Sequence, residues 1–199
     1  MYDIIKIRMN INYEVIFMKF NDTNILDYFK ENEREFFNII DELIKDETVQ
    51  EMKNFRQHYE TSCFDHCLMV SYYCYLTCKK YGLDYVSATR AGMLHDLFLY
   101  DWRKRQDGRK GLHAFTHGKT ACENACKIFN LNNKEKDMII NHMWPVTLSM
   151  PRSFEGIILT FVDKYCATSE TFEVLKSRMF TTKIFRYAYV FLSLIIIRI

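Results

Sequence analysis

Breakers are scarce in this chain. Six glycines and two prolines serve 199 residues, so few positions can form the corners that a many-stranded sandwich needs. The architecture compatible with so few turn residues is all-α, with long helices joined by short loops. Apolar spacing predicts helices over 24–47, 62–81, 84–100, 118–130, 133–143, 154–170 and 183–197. Ser62 followed by Asp65 resembles a capping box, which starts the second of these, and Gly82 stops it. A hydrophobic share of 49% over this length fits one domain with a substantial core.

The seven cysteines do not read as a disulfide framework. Cys63, Cys67, Cys74 and Cys78 fall on one stripe of the second helix, and Cys122 and Cys126 repeat the i, i+4 step. Such spacing describes small apolar residues facing a core. With an odd count, no C-x-x-C pair and no signal peptide, the expectation is a cytoplasmic protein with reduced thiols. A formal charge of +2 gives no electrostatic case for a nucleic-acid polymer as partner. The first twenty residues carry Lys6, Arg8 and Glu14, which break a membrane reading. The apolar run Tyr187–Ile197 is too short to cross a bilayer. A C-terminal element packed on the core or in a homodimer interface is expected there.

Against this apolar background one stretch is anomalous. "AGMLHDLFLYDW" places His95 and Asp96 side by side within a hydrophobic run. Burying a carboxylate without a partner costs several kcal/mol, on the order of 3–5. Four other elements each bring a candidate partner: His66 near the start of a helix, His117 before another, His142 at the end of "MIINHMWP", and Asp163 inside "GIILTFVDKYCA". Imidazole and carboxylate together suit Mn, Fe, Co, Ni or Zn, and helical bundles build metal sites from facing helices. A divalent ion would neutralise Asp96 and Asp163 and occupy the imidazole lone pairs.

The order His66, His95-Asp96, His117, His142, Asp163 resembles the HD-domain superfamily of metal-dependent phosphohydrolases, over roughly residues 61–170. The two histidines between HD and the last Asp are similar to the binuclear branch, which includes dinucleoside-tetraphosphate hydrolases and cyclic-dinucleotide phosphodiesterases. "QHYETSCFDHC", "LHDLFLYDW" and "NHMWP" also resemble a group of small bacterial HD proteins. The resemblance implies a single helical HD-domain bundle over 61–170. Residues 1–60 would be an extension and helix packed on it, and 171–199 a C-terminal helical element. It also implies two divalent transition-metal ions. His66, His95, Asp96 and Asp163 would hold the first; Asp96 would bridge to the second, held by His117 and His142. His113, four residues before His117, competes for that place, and His117 is preferred because it directly precedes the expected helix.

The implied chemistry is hydrolysis of a phosphoester or phosphoanhydride, nucleotide-like, by a hydroxide bridging the two ions, with His95 and Asp96 central to catalysis. Many HD phosphohydrolases carry Lys or Glu three residues after the Asp; Leu99 stands there in this chain. Asp101, Arg103 and Lys104 in the following basic loop, Lys164, Arg152, Trp144 and His58 are the residues expected to contact a small anionic substrate in its place. The same ligand set also occurs in HD-type diiron oxygenases, and a non-catalytic metal- or nucleotide-binding sensor is a third reading.

Overall fold

A computed structural model describes residues 25–58, 61–104 and 111–181. Eight α-helices and one two-stranded hairpin make up the regular structure of these residues, as an all-α fold requires. The apolar C-terminal run, the homodimer expected of it, the 183–197 helix and the N-terminal segment lie outside the described residues.

The region expected as one helix over 24–47 is broken. α1 (Ile25–Asn32) and α2 (Arg34–Lys45) are separated at Glu33, whose backbone leaves the helical region (φ −127°, ψ 52°). Asp46 ends α2 in an extended conformation and caps α3 (Glu47–Glu51), its side chain accepting from the amides of Thr48 (2.8 Å) and Val49 (3.3 Å). A 3-10 turn (Met52–Asn54) leads into β1 (Arg56–His58), which pairs antiparallel with β2 (Thr61–Ser62). Apolar periodicity carries no signal for so short a hairpin. Phe29 and Phe36 from α1 and α2 meet Tyr72 of the next helix at ring separations of 4.7 and 5.0 Å, which anchors this N-terminal layer on the core.

That next helix, α4 (Cys63–Lys80), is the axis of the molecule: 13 of its 18 residues are buried. Its start uses half of the expected capping box, Ser62 accepting from the Asp65 amide at 3.1 Å. Its end is a Schellman motif. Gly82 adopts φ 66°, its amide donates to Lys79 O (3.2 Å) and that of Leu83 to Cys78 O (2.9 Å). α5 (Tyr85–Leu94) lies against α4 so closely that a Cβ on Gly92 would stand 2.8 Å from Ser71 Cα. The helix expected over 84–100 therefore stops six residues early. After Leu94 the chain turns, Phe98 N bonding Asp96 O at 2.8 Å and Leu99 taking φ 51°.

α6 (His113–Ile128) begins five residues before the expected start at 118, α7 (Asn133–Asn141) opens with a capping box between Asn132 and Glu135, and α8 (Phe154–Thr181) continues beyond 170. α8 buries Leu159, Asp163, Cys166 and Glu170 against the core. Cys63, Cys67, Cys74, Cys78 and Cys122 are buried free thiols as expected. Cys126 is exposed, because one face of α6 is wetted, and the core-facing expectation fails there. None of the described helices is long and apolar enough to cross a membrane.

Candidate metal centre

Five elements deliver the cluster. α4 brings His66 in its first turns, the segment after α5 brings His95 and Asp96, α6 brings His117, the end of α7 brings His142, and α8 brings Asp163. His66 is fully enclosed, at 0% exposure. His95 and His142 are the C-terminal caps of α5 and α7. The partial negative charge of two helix ends is thus aimed at one place, a field that favours a cation.

The imidazoles are fixed from behind. Nδ1 of His95, His117 and His142 lies 2.8 Å from the backbone carbonyls of Gly92, His113 and Ile139 respectively. A carbonyl only accepts, so each Nδ1 carries its proton and each Nε2 faces the cluster. His66 Nδ1 donates instead to Glu170 Oε1, at 2.9 Å. Four Nε2 atoms and two carboxylates therefore converge.

Their spacing defines two pockets. On one side His66 Nε2 is 3.2 Å and His95 Nε2 3.7 Å from Asp163 Oδ1, while His95 Nε2 is 3.5 Å from Asp96 Oδ2. On the other, His117 Nε2 is 3.2 Å and His142 Nε2 3.7 Å from Asp96 Oδ1, and the two nitrogens are 2.9 Å apart. Donors held about 2.0–2.2 Å from a shared transition-metal ion lie roughly 3.0–3.6 Å from one another. Asp96 offers a separate oxygen to each pocket. A third grouping, His95 with His142 and Asp163, links the two sides. His95 Nε2 and Asp96 Oδ1 are buried without an aligned hydrogen-bond partner. The donor set therefore fits divalent metal.

Without a metal, protons do the same electrostatic work. Burial opposes charge on every group here. The neighbouring Asp163 and Glu170 nonetheless hold His66 well above the usual imidazole range, Asp96 raises His95, and Asp96 also raises His117. Asp96 and Asp163 are depressed in spite of their burial, Asp96 by the charges of His95 and His117, Asp163 by its hydrogen bond to His66 and the charge of His95. His142 is lowered to about 3, first by burial and then by the charges of His95 and His117. It stays neutral and accepts from its neighbour. Metal binding would displace the protons on Nε2.

Apart from His113, the supporting residues were not evident from the sequence. Gln57 of β1, buried, donates Nε2 to Asp96 Oδ2. Behind His117 the rings of His113 (4.4 Å) and Trp102 (5.5 Å from His113) stack in succession, and Tyr100 Oη is 3.0 Å from His113 Nδ1. His113 thus backs His117 and does not replace it. Gly118 lets α6 approach α7, since a Cβ there would meet the carbonyl oxygens of Ile139 and Ile140 at 2.9 Å.

The expected substrate residues are more scattered. Arg103 turns to Asp101 through Nε (2.9 Å) and Nη2 (3.2 Å), and Lys104 Nζ is 3.8 Å from the same carboxylate. Arg152 is exposed beside Asp137, its amide donating to Oδ2 at 2.8 Å. Half-buried Lys164 does reach the centre, its Nζ donating to His142 O at 3.1 Å; burial holds its pKa below the usual lysine range. Trp144 is half-buried two residues beyond His142, across from a cis bond to Pro145. His58 lies in β1, beside Gln57. Leu99, partly buried, packs against the core and offers no polar group at that position.

Comparison with protein-family models, curated proteins and solved structures finds no significant match. An all-helical bundle with several buried His/Asp groups able to hold metal defines the class, and it is compatible with an HD-like fold.

Proposed function

We propose that the chain is an HD-type metal-dependent phosphohydrolase acting on a phosphoester or phosphoanhydride of a small, nucleotide-like molecule. The single observation that supports this reading best is Asp96. Its two oxygens face separate pockets of imidazole nitrogens, 3.5 Å from His95 Nε2 on one side and 3.2 Å from His117 Nε2 on the other. Two divalent ions so held would acidify water and stabilise the oxygens of an in-line phosphoryl displacement.

The chain's own residues have distinct parts in this reading. His66, His95, Asp96 and Asp163 hold the first ion, and Asp96, His117 and His142 the second. Gln57 orients the bridging carboxylate from Oδ2. Lys164 clamps the carbonyl of His142 and places a positive charge beside the second pocket. Arg103 and Lys104 would have to exchange Asp101 for the substrate's phosphate, while Trp144 offers a flat surface to a base.

The test is release of phosphate or nucleoside monophosphate from a panel of nucleotides and phosphoesters, using full-length protein with Mn²⁺. Turnover that is lost in Asp96→Asn supports the proposal. The second reading, an HD-type diiron oxygenase, is favoured by Leu99, which removes a usual phosphate-handling position. Substrate-dependent O₂ uptake by the iron form, without ester cleavage, would establish it instead. Metal and nucleotide binding without turnover would identify a sensor.

A further inference from the structure

One histidine of the centre is held differently from the other three. His95, His117 and His142 donate Nδ1–H to neutral backbone carbonyls within their own segments. His66 donates to a carboxylate 104 residues away. α8 supplies groups to both sides of this ring, for Asp163 and Glu170 are seven residues apart, two turns, on its buried face. Asp163 Oδ1 stands 3.2 Å from Nε2 and Glu170 Oε1 2.9 Å from Nδ1.

We infer that Glu170 is a positioning residue for His66, fixing its tautomer and making the pocket of His66, His95, Asp96 and Asp163 the tighter of the two. The inference rests on the cluster being a metal centre, and it is independent of the phosphohydrolase chemistry. Glu170 is 4% exposed, and its Oε2 is buried without a hydrogen-bond partner. Among the described residues its only ion pair is with His66. Taking a carboxylate out of water for one hydrogen bond is expensive, and the attraction of the ring repays it only in good geometry. The arrangement becomes favourable when a cation lies beyond the ring, because a carboxylate on Nδ1–H raises the basicity of Nε2 and holds it in line.

Charge places the asymmetry. On the first side Asp163 Oδ1 stands 3.2 Å from His66 Nε2, with Glu170 behind that ring, whereas the second side shares Asp96 and meets Asp163 only through the grouping of His95 with His142. Near Glu170 lie the buried thiols Cys63 and Cys166, both pushed up by burial and by the surrounding carboxylates.

The experiment is a titration of metal-stripped, full-length protein with Co²⁺, followed by calorimetry and by the visible spectrum, for the wild type, Glu170→Gln and Glu170→Met. Wild type should take up two ions in separable steps. Glu170→Gln should weaken the first step about 10- to 100-fold and leave the second unchanged. Glu170→Met should weaken it at least as much, and by more than any fall in the melting temperature of the metal-free protein accounts for, where Glu170 is also the ion-pair partner of His66. Equal affinities for both steps in all three proteins would overturn the inference, as would a loss spread evenly over both steps. A fall in the metal-free melting temperature of Glu170→Met with unchanged Co²⁺ binding would make Glu170 merely structural. Failure of the wild type to bind Co²⁺ would remove the metal centre itself, a result distinguishable without any variant.

Discussion

Two polar clusters, one partly exposed and one buried, sit toward opposite ends of α5 and α7. At the N-terminal ends of α5, α7 and α8, Asp84 caps Ser87 (3.0 Å), Lys134 Nζ reaches both Asp84 Oδ2 (3.1 Å) and Glu155 Oε1 (3.2 Å), and Glu155 accepts from the Asp84 amide (3.0 Å). Beside them Arg90 Nε meets Glu135 Oε1 at 2.9 Å while Glu135 Oε2 accepts from the Asn132 amide at 2.8 Å. Each acid there faces a base or a backbone donor. At the other end, His95 and His142 close the same α5 and α7, and buried atoms of His95 and Asp96 have no aligned partner. One cluster is complete within the chain and joins helices. The other leaves buried atoms that an added cation could satisfy, and that difference makes it the candidate functional one.

The strongest way to break this comparison is Asp96→Ala, which removes an oxygen from each pocket at once. Metal analysis of protein purified without chelator should fall from about two ions per chain to well under one. Next in size is metal itself. At a hundred times its dissociation constant a divalent ion stabilises the folded chain by about 2.7 kcal/mol. For a chain of this size that raises the melting temperature by roughly 5–10 °C. Differential scanning fluorimetry should show the rise in wild type and none in Asp96→Ala; an equal rise in both would place the ion elsewhere. Gly118→Ala comes third. Its Cβ must push α6 from the carbonyls of Ile139 and Ile140, now 2.9 Å away. The expected cost is about 1–3 kcal/mol, together with selective loss of the ion held by His117 and His142. Unchanged stoichiometry would show that α7 yields without disturbing His142.

The difference between the clusters also explains what could be read from the sequence. His66, His95, Asp96, His117, His142 and Asp163 stand out because each is a polar exception in an apolar pattern, and the structure brings all six together. Gln57, Glu170 and Trp102 do not stand out, and His113 stands out only as a rival ligand to His117. Each sits among other polar or aromatic residues, and its role depends on which helix faces it across the core. A carboxylate seven residues after Asp163 on the same α8 face was the one available signal for Glu170. Helix existence followed from the scarcity of breakers and from apolar spacing, whereas boundaries did not. α5 ends at Leu94, with His95 as its cap, and the chain turns at the cluster. α6 starts at His113, whose carbonyl meets His117 Nδ1 one helical turn on. Both boundaries fall at site residues, where apolar periodicity carries no signal.

The smallest expected effects belong to the complete cluster, and they sharpen the comparison because the metal must be indifferent to them. Lys134→Met leaves Asp84 and Glu155 facing each other. Lys134 is 38% exposed on its side chain, so solvent screening limits the loss to about 1 kcal/mol at neutral pH. Metal content should not change. The pH dependence separates this from a packing defect. Asp84 and Glu155 are partly buried, which opposes ionisation, yet backbone amides and Lys134 depress both below their ordinary values of 3.8 and 4.5. A carboxyl whose folded pKa is depressed contributes stability that is complete above the unfolded pKa and is lost as pH falls through the folded one. The penalty of Lys134→Met should therefore be constant from neutrality down to about pH 5 and shrink below about pH 4, as both acids take up protons and the lysine loses its partners. Urea unfolding of metal-free wild type and Lys134→Met across that range measures it. A gap that persists at pH 3 would mean that the methylene stem of Lys134, and not its charge, ties α7 to α5 and α8.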